Sequence, residues 1–408
     1  MIKNYLKNIG PGPLVAAAFI GPGTVTVCTL AGVGFGFALL WAMVFSVIAT
    51  VVLQEMSARL GIITQKGLSE IIRTEIKQPF FKNLVILLIL SAILIGNAAY
   101  EAGNISGGVL GLETILGNTS VHLGKLTVNG FSLIVGIFAF IILFIGNYKV
   151  LEKILVLMVI IMSLAFLITA IITKPNISEI LRGIFNFNVP EESLLTIIGL
   201  IGTTVVPYNL FLHASLVKEK WHHESDLKYA RKDTLIAVIL GGIVSMCIII
   251  SAASIQTQHI ESAADLAIGL EPLFGKFSKY VLAIGLFSAG ITSAITAPLA
   301  AAYVTTGCLG WKSSMDSIKF KMVWMSVLGL GILFSSIGFK SIEIIQFAQV
   351  ANGLLLPLIA GVLIWIMNKS SILGIYKNSK LKNFISLAIL AITVFLGLKS
   401  ILSVFNVL

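Results

Sequence analysis

Two tetrads, Gly21-Pro22-Gly23-Thr24 and Val206-Pro207-Tyr208-Asn209, interrupt long apolar runs. Proline removes an amide donor and clashes with the preceding helical turn, while glycine accepts unwound backbone without steric cost. Each tetrad should therefore break a helix and free carbonyl oxygens, to which Thr24 and Asn209 add side-chain oxygens. Asn209 has a second reading, as a cap on its own unwound segment. Three further polar residues lie in apolar runs. Glu101 is the one carboxylate well inside such a run; charge at that depth is costly and usually functional, so it reads as a proton carrier or as the counter-charge to an ion. Its bland alternative is a residue near the outer interface that reaches water. Asn104 follows Glu101 by one helical turn on the same face. His213 lies four residues past Asn209, again on one helix face, and an imidazole titrates near physiological pH; the alternative is a hydrogen-bonded structural histidine.

The elements that position these residues follow from composition. Apolar residues make up 57% of the 408 and charged residues 11%, with a mean hydropathy of +1.01, whereas a soluble domain carries about 25% charged residues. The surface must face lipid, and the chain reads as an all-α membrane protein. Spans of about 20 apolar residues can be placed eleven times: roughly 13–35, 37–58, 83–105, 130–147, 151–173, 193–217, 233–255, 278–305, 321–338, 342–367 and 383–405. With the N-terminus in the cytoplasm, about three quarters of the 28 Lys and Arg residues fall on the cytoplasmic side, as the positive-inside rule requires. The plasma membrane is the expected location, with the C-terminus extracytoplasmic. Stretches 61–77 and 178–187 read as surface helices.

Several functions are excluded. The net charge of +10 is spread between spans rather than along one basic face, which argues against nucleic acid. Cys28, Cys247 and Cys308 lack metal-ligand spacing and read as small core residues. No Ser/His/Asp arrangement, HExxH, P-loop or GxGxxG stands in a suitable loop, so no enzyme and no cofactor is expected. His222, His223 and Glu224 read as a solvated turn. No cleavable signal is apparent before the first span.

The two breaks fall in the first and sixth spans, five apart. An odd number of spans per unit inverts the second unit, and two inverted five-helix repeats led by discontinuous helices are the pattern of LeuT-like secondary transporters. The expected layout is a single transmembrane domain over 1–408, with one repeat at about 13–173, a second at about 193–367, and an eleventh helix at about 383–405. A monomer suffices for such a layout.

The chain resembles the NRAMP (natural-resistance-associated macrophage protein) family of proton-coupled divalent metal transporters. The resemblance is carried by Leu53-Gln54-Glu55-Met56-Ser57-Ala58-Arg59-Leu60-Gly61, by Gly202 through His213, by Gly285-Leu286-Phe287-Ser288-Ala289-Gly290 with Ser293, and by Gln349-Val350 followed by Leu356-Pro357. It implies a substrate site at Gly21, Pro22, Gly23, Thr24, Val206, Pro207, Tyr208 and Asn209, with Gln349 reaching the ion in some states. It also implies a proton pathway through Glu101, Asn104 and His213. The family's breaks read Asp-Pro-Gly-Asn and Met-Pro-His-Asn; here Gly21, Thr24, Val206 and Tyr208 replace Asp, Asn, Met and His. Candidate metal ligands are then Thr24, Asn209 and Glu101. Loss of the soft thioether disfavours Mn²⁺, and the ninth span, Met322 to Gly338, lacks the charges through which the family passes protons. The expected substrate is an inorganic divalent cation, partly hydrated, with Mg²⁺ ahead of Mn²⁺. The alternative is a small organic solute such as an amino acid, its carboxylate drawn to half-helix N-termini.

Overall fold

Apolar runs separated by short polar loops fold into helices because lipid leaves every backbone polar group to be satisfied within the segment. In the computed structural model of the chain, residues 20–117, 119–123, 126–146, 149–254, 260, 262–311, 316–337 and 339–404 are described. Among the described residues nine helices are long and apolar enough to cross a membrane, and Pro22–Phe35 and Gly130–Ile145 are shorter apolar helices that complete the expected set. The second span is Leu40–Thr64, the third Pro79–Leu116, the fourth Gly130–Ile145 and the fifth Lys149–Ile172. The sixth comprises Leu194–Thr204 and Pro207–Lys220, and the seventh is Leu227–Ala253. The eighth is Ser278–Leu309, the ninth Ile318–Ser336, the tenth Ser341–Met367 and the eleventh Lys380–Val404. Residues 13–19 of the first span lie outside the described residues, as do the expected span ends at 147, 255, 338 and 405.

Helices Leu68–Glu75 and Ile177–Phe185 occupy the stretches expected to lie at the surface. Ile177, Leu181 and Phe185 stay exposed at four-residue spacing, an apolar stripe suited to the bilayer interface. Two features differ from expectation. The third span runs 38 residues, well past 105, and a short antiparallel hairpin pairs Ser120–Leu123 with Leu126–Asn129. The extension contains Gly107, Gly108 and Gly111, poor helix formers in isolation, and tertiary packing explains it. Pro22 of the first span sits against Gly107, and a Cβ on Gly111 would come 2.5 Å from Ala283 O of the eighth span. Small residues let membrane helices approach this closely.

A polar rim holds one end of the bundle. Arg59 is buried, yet it pairs with Glu55 at 3.1 Å and donates to Tyr376 O and to Asn378 Oδ1, both at 2.7 Å. Glu55 also meets Arg231 at 2.8 Å and Lys382 at 3.1 Å. The second, seventh and eleventh spans are thereby tied together around a buried charge whose two terminal nitrogens are paired, though its Nε is not, and pairing is the condition under which such a charge is tolerated.

The sixth and tenth spans touch through glycine. A Cβ on Gly202 would overlap the backbone oxygen of Gln349 and lie 2.6 Å from Gly353 N. Because the obstacle is backbone, it has little freedom to yield. Gly202→Val is expected to lower stability by at least about 1–3 kcal/mol, the usual range for overpacking, seen as a lower thermal midpoint in detergent. Gly34→Ala, where the added carbon meets nothing within 4 Å, should leave that midpoint unchanged or slightly raised.

Candidate functional site

The second tetrad breaks the sixth span, and the first described helix begins within the first tetrad. The first described helix starts at Pro22, with Gly21 extended at φ −107°, ψ −174° before it. The sixth span stops at Thr204, passes through Val205 and an extended Val206, and resumes at Pro207. Pro207 occupies the first helical position, where its missing amide costs nothing. Among the described residues the carbonyls of Gly202, Thr203 and Thr204 accept no backbone hydrogen bond beyond their helix, as expected of a helix C-terminus. A helix C-terminus carries partial negative charge, so this one favours a cation.

The breaks are brought together. Thr24 Oγ1 and Thr203 Oγ1 share a hydrogen bond of 2.8 Å between spans one and six. Gln349 of the tenth span lays its carboxamide against Gly23, where a Cβ would overlap it. Gly21, Pro22, Gly23, Thr24, Val206, Pro207, Tyr208 and Asn209 are all buried. Val206 offers no donor, and Tyr208 meets the ring of Tyr100 edge to face at 5.5 Å between centroids. Both side-chain atoms of Asn209, Gln349 Oε1 and Ser293 Oγ are buried without a hydrogen-bond partner. Buried polar atoms are nearly always paired, so this concentration of unpaired polar atoms, where the sixth-span break meets the start of the first described helix, points to a ligand. The available donors are hydroxyl, amide and carbonyl oxygens, which suit hard cations. Among the described residues no group of three or more His, Cys, Asp or Glu could hold a metal.

Glu101 and His213 are buried on the third and sixth spans. Glu101 is 0% exposed, which removes the reading of a residue reaching water at the interface. It accepts a hydrogen bond from Asn104 Nδ2 at 3.3 Å, and its Oε1 has no partner. It packs against Gly331 of the ninth span, where a Cβ would overlap its Cγ, and it does not hydrogen-bond the Asn209 side chain. Tyr100, its neighbour in sequence, meets Tyr208. His213 pairs through Nδ1 with Gln54 Oε1 of the second span at 2.6 Å, while its Nε2 is unpaired. Sequence reasoning gave no roles to Thr203, Ser293 and Gln54. Each is a polar residue within an apolar run, which was the available signal, but the neighbour it meets comes from another span.

A sixth span interrupted at mid-length, joined through Thr203 to the start of the first described helix and enclosed by further membrane helices, belongs to a multi-pass membrane protein of the LeuT-like transporter fold. The chain belongs to the Nramp family: the profile described as natural resistance-associated macrophage protein-like matches residues 12–403. It is 26% identical to a divalent metal cation transporter, MntH, of Staphylococcus haemolyticus, over 99% of this chain and 93% of that one. Among solved structures it is similar to the Eremococcus coleocola manganese transporter, with a TM-score of 0.77 at 19% identity, covering 98% and 87% of the two chains. It is also similar in fold to MhsT in complex with L-phenylalanine, with a TM-score of 0.55 at 14% identity, covering 95% and 98%.

Proposed function

We propose that the chain is a secondary transporter that moves a divalent cation across the plasma membrane by alternating access. The cation binds between Gly21–Thr24 and Gly202–Asn209, with Gln349 as a further contact. The observation that carries this reading is the meeting of a half-helix C-terminus, whose carbonyls lack backbone partners, with the unpaired amide of Asn209 and the bridging hydroxyls of Thr24 and Thr203. The relatives' names support a divalent metal. The donor set supports a hard one: it lacks a thioether, and Mg²⁺ keeps several of its waters, which neutral oxygens can hold by hydrogen bonds. The repeats are at about 13–173 and 193–367; spans one and six rock within a bundle against a scaffold of spans three, four, eight and nine, with the N-terminus cytoplasmic and the C-terminus outside. An organic solute has weaker support, because the likeness to the phenylalanine-bound structure is one of fold alone.

The test is flux into liposomes holding a dye for Mg²⁺ or Mn²⁺. Saturable uptake is expected, and Asn209→Ala should reduce it at least about tenfold, equivalent to about 1.4 kcal/mol of lost interaction, without lowering the thermal midpoint. Absence of divalent flux under any imposed ion or proton gradient, with amino-acid uptake in its place, would overturn the reading.

A further inference from the structure

We infer that Ser293 of the eighth span is a substrate ligand, supplying from outside the two broken helices the oxygen that a glycine at position 21 cannot. The first support is the behaviour of the neighbouring hydroxyls. Buried Ser and Thr in helices commonly donate to the carbonyl one turn back. Thr292 does so to Ser288 O at 2.8 Å, Thr296 to Thr292 O at 2.8 Å and Thr306 to Ala302 O at 2.8 Å. Ser293 is 0% exposed, yet its Oγ makes no such bond and has no other partner. Other hydroxyls share that condition, Thr26 and Thr305 among them; what sets Ser293 apart is its position. Its Oγ lies 3.1 Å from the point a Cβ on Gly21 would occupy, so it faces the gap beside the first break.

The second support is the chemistry of the cluster it joins. Thr24, Thr203, Asn209 and Gln349 provide neutral oxygens from the first, sixth and tenth spans. A dehydrated or partly hydrated dication gains from each additional hard oxygen, and affinity is tuned by ligand number and charge. Ser293 adds one from a helix that is continuous from Ser278 to Leu309. In an alternating-access cycle the broken helices move against such continuous ones, so the contact to Ser293 exists only while Gly21 lies beside it. Cation binding then favours the arrangement seen here.

This inference rests on the proposed cation site, and its test separates the two. Binding of Mg²⁺, Mn²⁺ and Cd²⁺ would be measured by calorimetry on the purified full chain as wild type, Ser293→Cys, Ser293→Ala and Asn209→Ala. A thiol is a soft ligand that selects soft ions. Ser293→Cys is expected to raise Cd²⁺ affinity at least about tenfold over a wild type that already carries Cys28, Cys247 and Cys308, while Mg²⁺ affinity falls. Ser293→Ala should weaken Mg²⁺ binding by roughly three- to tenfold, the loss of one neutral ligand interaction of about 1 kcal/mol, with the thermal midpoint unchanged. A gain of Cd²⁺ affinity is a readout that a purely structural serine would not produce. If both Ser293 variants bind like wild type while Asn209→Ala loses binding, the inference is wrong and the cation site stands. If wild type binds none of the three ions, the cation site and the inference fall together.

Discussion

Gly21→Asp is expected to bind Mn²⁺ at least about tenfold more tightly than wild type, since hard-cation affinity rises with ligand charge. The position is already at the break, with Gly21 extended before Pro22. An added Cβ would lie 3.1 Å from Ser293 Oγ, tight enough to require a shift of a few tenths of an ångström, and the obstacle is a hydroxyl rather than backbone. Ser293 can then donate to the new carboxylate, giving its Oγ a partner. The carboxylate would face hydroxyl and amide oxygens that carry no charge, so its attraction for a dication is set against no competing cation. Without metal, the same carboxylate is a buried charge with one hydrogen bond, and the thermal midpoint of the variant should drop. Mn²⁺ should restore it, because a ligand that binds only the folded state stabilises it in proportion to the logarithm of its concentration over Kd. Thermal shift with and without Mn²⁺, alongside Mn²⁺ uptake, tests both halves. A variant that loses stability, gains no Mn²⁺ affinity and is not rescued by the metal would show that position 21 does not face the substrate.

What the sequence disclosed was what depends on one helix at a time. Hydropathy located the spans because lipid exposure acts on each run separately. Pro207 located the break in the sixth span because a missing amide interrupts any helix, whatever its neighbours, and Pro22 located the start of the first described helix. What stayed hidden depends on lateral packing. Thr24 meets Thr203 across 179 residues, and His213 meets Gln54 across 159. No periodicity in either segment encodes that encounter. The length of the third span was concealed for the same reason: Gly107 and Gly111 look like helix-ending residues until Pro22 and the eighth span are seen to occupy the space beside them. Glu101 was visible as an anomaly, a carboxylate in an apolar run, but Gly331, which makes room for it, reads in sequence as an ordinary membrane-helix glycine. The replaced family ligands at 21, 24, 206 and 208 were legible as losses; the oxygen at Ser293 that stands beside position 21 was not.

Glu101→Gln is expected to cut transport at least about tenfold while leaving the protein as stable as before or more so. Among the described residues Glu101 and Arg59 are the buried members of the Asp, Glu, Lys and Arg set, and their surroundings differ. Arg59 has a carboxylate and two oxygen acceptors around it, as a structural charge should. Glu101 has one amide at 3.3 Å and a second oxygen with no partner, and the ninth span against it has no charged residue from Met322 to Ile337. An incompletely paired buried charge costs several kcal/mol, so a neutral isostere at this position should not lower the thermal midpoint. Function runs the other way. Around the two tetrads every donor is neutral, and Glu101, the buried acidic residue among the described residues, is the side chain that can supply a negative charge to offset a dication in a low-dielectric interior. Uptake by Glu101→Gln should therefore fall at least about tenfold, corresponding to about 1.4 kcal/mol or more. Gly331→Ala, whose new methyl would overlap the Glu101 side chain, should reduce uptake by displacing the carboxylate without removing it. Should Glu101→Gln transport at the wild-type rate, the carboxylate is no part of the cation's path, and charge compensation would have to come from the ion's own retained waters and the carbonyls of the sixth span.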